Sequence, residues 1–92
     1  MEKYIIIGEY SNNKGTVFIS NTNPICWVEQ ESLAKVYDCL LDAIHDVVSE
    51  YSIYKTTILG TDISYISILS ISDRTITPVI NSSGELVDTD EF

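Results

Sequence analysis

Apolar positions along the chain change their spacing twice. Tyr4 to Tyr10 reads Tyr-Ile-Ile-Ile-Gly-Glu-Tyr, and Thr16 to Ser20 repeats that β-branched, aromatic character after Ser11-Asn12-Asn13-Lys14-Gly15. Two such runs around an Asn- and Gly-bearing break predict an antiparallel hairpin, with Gly15 suited to its left-handed closing position. Asn21 to Pro24 ends the pairing, and Ile25-Cys26-Trp27-Val28 reads as a short apolar link in which extended backbone is allowed. From about Glu29 to Tyr51 the period becomes 3.6. Leu33, Val36, Tyr37, Leu40, Leu41, Ile44, Val47, Val48 and Tyr51 share one broad face, opposite Glu31, Lys35, Asp38, Asp42, Asp46, Ser49 and Glu50. That spacing predicts one long amphipathic helix, with Cys39 and His45 at its margins.

Strand character then returns. Ile53 to Leu59, Ile63 to Ile71 and Arg74 to Ile80 are apolar runs separated by Gly60-Thr61-Asp62 and Ser72-Asp73. Pro78 cannot donate to a sheet ladder, which predicts an edge position or a bulge for the last run. The order is ββαβββ, or ββαββ if one late segment is a loop. A single helix must bury its apolar face, and an antiparallel sheet of four to five strands is the economical partner. The expected architecture is one α+β domain over residues 1–84, followed by an acidic tail over residues 85–92.

Composition narrows the function classes. The chain has 92 residues, 45% of them apolar, with fourteen Ile, six Tyr and one Trp, so it can bury one core and does not resemble a disordered acidic chain. Fourteen acidic residues against five basic ones give a net charge of −9. So few cations argue against direct binding to nucleic acid or to an anionic membrane. One His and two Cys, the latter thirteen positions apart, offer neither metal-ligand spacing nor a nucleophile–base pair, so no enzyme, metal or cofactor is expected. The three consecutive Ile near the N-terminus are too short a run for an export signal or a membrane span. A cytoplasmic protein with Cys26 and Cys39 as reduced core thiols follows. Fourteen Ile against two Ala and one Arg favour A/T-rich codons, as in a low-GC bacterium, its virus or its plasmid.

The charge is unevenly placed. Residues 1–28 are neutral, residues 29–50 carry −5 and residues 51–92 carry −4. On a continuous helix, Asp38, Asp42 and Asp46 would form a carboxylate row about 6 Å apart. Like charges at that spacing disfavour the helix, so a use for them is suggested, although an acidic solvated face also maintains solubility. Glu31, Asp38, Asp42, Asp46 and Glu50, with Asp88, Asp90 and Glu91 of the tail, are therefore the candidate partner-binding residues. In general character the chain resembles the small acidic phage and plasmid inhibitors of host defence nucleases, anti-CRISPR proteins among them, without sharing a specific motif. That resemblance implies a non-enzymatic inhibitor whose carboxylates stand in for phosphates against a larger, basic, nucleic-acid-handling protein. A toxin-neutralising immunity protein fits the same outline. The alternative is an oligomeric small-ligand binder, such as a homodimer, with a pocket between its subunits.

Overall fold

A computed structural model describes residues 2–10, 15–22, 25–60 and 63–87. Strands β1 (Tyr4–Tyr10), β2 (Thr16–Thr22) and β3 (Ile25–Val28) come first, then a 3-10 turn (Glu31–Leu33). Helices α1 (Leu40–Ser49) and α2 (Tyr51–Leu59) follow, then strands β4 (Ile63–Ser70) and β5 (Ile76–Ile80). The strands form one antiparallel sheet in the order β3-β2-β1-β4-β5. The fold is α+β, as expected, but its element order is not ββαβββ.

Three differences account for this. Ile25–Val28, expected as a short link in which extended backbone is allowed, is a full strand paired with β2. Ile53–Leu59, expected as a strand, lies in α2. There Tyr51, Tyr54 and Ile58 recur at helical spacing and pack into the core, while the Thr56 and Thr57 hydroxyls donate to the carbonyls of Ser52 and Ile53 (2.9 and 3.0 Å). Those bonds let two β-branched residues sit in a helix. Finally, the helix expected from Glu29 begins only at Leu40. Upstream, the sheet claims the backbone: Lys35 N–H donates to Ile19 O (2.8 Å), and Tyr37 and Tyr4 exchange both bonds (2.8 and 2.9 Å).

Successive strand residues point to opposite faces. One face carries Ile6, Val17, Ile19, Ile66 and Ile68 against Ala43, Ile44 and Val47 of α1 and Tyr54 and Ile58 of α2. The other carries Ile5, Ile7, Phe18 and Leu69, with Val28, Ala34 and Ile71 packed on them. Gly8 permits the closest approach on the helical face. A Cβ there would lie 2.9 Å from Ile63 Cγ2 and 3.3 Å from the Trp27 ring. Pro78 meets its expectation, since the β4–β5 register shifts between Ile66 and Ser67, beside the Ser67–Pro78 pair. Beyond β5, Leu86 bridges to Ile80 and Val87 N–H donates to Val79 O (2.8 Å).

Candidate functional site

The structure separates the five described candidate carboxylates instead of lining them up on one helix. Glu31, in the 3-10 turn, accepts both arms of the Arg74 guanidinium (2.8 and 2.9 Å). This pairing holds the Glu31 carboxyl below its ordinary range, against a smaller opposing effect of desolvation. Asp38 lies before α1 and is ion-paired with Lys3. Asp46 is half-buried, accepting the Tyr37 hydroxyl (2.7 Å) and lying 3.4 Å from Lys35 Nζ. Glu50 occupies the joint between the two helices. Asp42 is exposed in the first turn of α1, where a negative charge complements the helix N-terminus, and has no cation partner among the described residues. Asp88, Asp90 and Glu91, with the rest of the tail beyond Val87, lie outside the described residues.

The helix that remains is amphipathic in a different way. At 100° per residue, Ala43, Ile44 and Val47 face the sheet. The outward arc runs from Val48 and Leu41 at one margin, through His45 and Ser49, to Asp42 and Asp46 at the other. Leu41 is 58% exposed and Val48 43%. Leu33 and Val36 are also exposed, so four of the apolar positions expected to be buried face solvent. Cys26 and Cys39, expected in the core, are free and exposed.

Concavities also open among the described residues. An apolar groove of about 330 Å³ opens on the face away from the helices, between Tyr65, Ser67, Ile76, Pro78 and Val87. Nothing in the sequence announces it, because it requires β4, β5 and the Leu86 bridge to be assembled. A smaller cleft of about 140 Å³ is bordered by Glu2, Tyr4, Asp73 and Thr75. Two hydrogen bonds close within its rim: the Tyr4 hydroxyl donates to Glu2, and Thr75 N–H donates to Asp73 (3.0 Å). That backbone N–H is the largest influence lowering the Asp73 carboxyl, the opposite of what a general acid needs. Among the described residues, no three His, Cys, Asp or Glu side chains converge as metal ligands, and no helix is long and apolar enough to cross a membrane. No family model, curated protein or solved structure matches the chain.

Proposed function

We propose that this is a non-enzymatic cytoplasmic binding protein that inhibits a larger, basic, nucleic-acid-handling partner by covering its basic surface. The observation that supports the reading is the outward arc of α1. It carries an acidic margin, with Asp42 free of any cation among the described residues, and exposed Leu41 and Val48 at the opposite margin, across His45 and Ser49. Charge brings such a surface to a basic partner quickly, and apolar contact then holds it. Glu31, Asp38 and Asp46 engage cations of the chain itself, so they contribute to the negative field more weakly than a bare row of phosphate mimics. The net −9 keeps that field acidic overall.

The test is inhibition and capture across a salt series, using DNA- and RNA-processing enzymes, with heparin as a competing polyanion. Inhibition is expected to weaken steeply with salt. Asp42→Lys, which breaks no ion pair among the described residues, is expected to abolish it, and Leu41→Ser to weaken it at every salt concentration. Inhibition indifferent to salt and to Asp42→Lys would remove the reading. The apolar groove favours a second reading, a small-ligand binder, since its volume falls within the range of ligand pockets, about 300–1,000 Å³. A thermal shift with an apolar ligand, unchanged by Asp42→Lys but lost in Ser67→Phe, would favour that function instead.

A further inference from the structure

The connection from β3 to α1 changes faces of the sheet. Leaving β3 at one edge, it reaches the β4–β5 turn, where Glu31 meets Arg74, and then folds back between β1 and β2. Ala34 packs with Ile5, Ile7, Phe18 and Leu69 on one face, while Tyr37 is buried with Ile6, Ile19 and Val47 on the other. Between them the backbone is clamped in the fork of the two strands by the Lys35–Ile19 and Tyr37–Tyr4 bonds.

The two sides of the clamp are held differently. Beyond it, Tyr37 is buried and its hydroxyl is bonded to Asp46. Before it, apolar anchoring is thin: Leu33 is 57% exposed, and Ala34 offers a single methyl group. Polar contacts hold this limb instead. Arg74 grips Glu31 with two parallel hydrogen bonds, and the Tyr10 hydroxyl reaches Glu29 at 3.3 Å. All three ion pairs among the described residues have one member between Glu31 and Asp38. Arg74 also has a positive φ of 61°, a conformation that favours glycine. Glycine would relax that turn but could not reach Glu31.

We propose that residues 29–34 are a charge-latched strap that opens about the Lys35–Tyr37 clamp. With the Arg74–Glu31 pair made, the strap covers the apolar face. With the pair screened or removed, it lifts and takes Ala34 off Ile5, Ile7, Phe18 and Leu69, which keep Val28 and Ile71 as neighbours. Those residues adjoin the apolar groove directly, because Ile7 pairs with Ser67 and Leu69 with Ile76 across the strands. Opening therefore extends the bounded groove toward these residues as a wider apolar surface, under the control of ionic conditions.

Hydrogen exchange across the full chain tests this, comparing peptides over residues 29–36 with peptides of α2. Arg74→Ala and Glu31→Gln are each expected to speed exchange in 29–36 about fivefold, the equivalent of about 1 kcal/mol, with α2 unchanged. Sodium chloride should produce the same acceleration in the natural sequence and none beyond it in Arg74→Ala. Arg74→Gly should open the strap as much as Arg74→Ala despite its relaxed turn. Protection equal to the natural sequence in Arg74→Ala or Arg74→Gly would overturn the proposal. So would acceleration shared equally with α2, which reports global loosening. If either variant fails to fold, the salt series on the natural sequence decides, and salt-independent exchange in 29–36 would overturn the latch.

Discussion

The two faces of this sheet are covered by different physics. On the helical side, α1 and α2 bring Ala43, Ile44, Val47, Tyr54 and Ile58 onto a floor of Ile and Val, a contiguous core that excludes water by area. On the other side, four buried strand residues lie under a strap whose most extensive polar anchor is the Arg74–Glu31 pair. Apolar burial is insensitive to salt and moderate pH, whereas exposed ion pairs are screened and typically contribute less than about 1 kcal/mol each. Global stability therefore resides on the helical face, and the conditional part of the molecule is its opposite face.

Neighbouring isoleucines provide the sharpest test. Ile6 is 0% exposed on the helical face and Ile7 5% exposed under the strap. Ile6→Ala should cost about 3–5 kcal/mol in urea unfolding, because the rigid helices cannot collapse into the cavity. Ile7→Ala should cost about 2–3 kcal/mol, because the strap can settle into the space. Equal losses would mean that the strap packs as rigidly as a helix, and the contrast between the faces would be lost. Gly8→Ala comes next, at about 1–3 kcal/mol, since its Cβ would press on Ile63 and Trp27 in the better-packed core. A neutral result there would show that the helical face yields as easily as the strap.

The helical face has one flaw, and it has the opposite sign. Tyr54 is fully buried, edge-on to Trp27, and its hydroxyl has no hydrogen-bond partner among the described residues. Burial, then the charges of Asp46 and Glu50, push its ionisation well above the ordinary tyrosine value. Tyr54→Phe should thus be neutral or stabilising by about 1 kcal/mol. The raised value also fixes the alkaline behaviour: stability from the neutral phenol is complete below pH 10 and is lost as pH rises toward the folded value. In Tyr54→Phe the alkaline unfolding midpoint, read by circular dichroism, should therefore move upward. A destabilised variant would mean that the hydroxyl is satisfied after all.

The legible and illegible parts of the fold divide by range. The first hairpin, β4, and the irregularity at Pro78 follow from local alternation and turn residues, and these survive in the structure. The start of α1 does not, because Leu33, Val36 and Tyr37 satisfy a helical spacing that the fork between β1 and β2 overrides by taking their backbone. Likewise, Ile53, Thr56 and Thr57 suggest a strand until packing of Tyr54 and Ile58 against the sheet selects helix. The acidic residues were visible as charge, but their partners were not. Glu31 and Arg74 are 43 positions apart, so the pair that turns one carboxylate from a surface ligand into a latch exists only after folding.

The smallest expected effect separates the faces by pH. Glu31 is held below its ordinary value of 4.5 chiefly by the Arg74 hydrogen bonds, so its contribution is complete above that pH and is lost as pH falls through the lower folded value. Asp73, beside Arg74, is also lowered, but chiefly by Thr75 of its own turn. An NMR titration can tell the two carboxylates apart. Strap amides over residues 29–36 should move with the Glu31 midpoint while α2 amides stay still. In Arg74→Ala the Glu31 midpoint should rise to its ordinary value or above it, since desolvation then acts unopposed, and in Glu31→Gln the Asp73 midpoint should hold. Strap amides that follow Asp73 would place the acid-sensitive contact within the β4–β5 turn. Helix amides that move in step with the strap would mean that the faces respond as one unit, because a local latch can uncouple the strap only if the helical core remains closed while it opens.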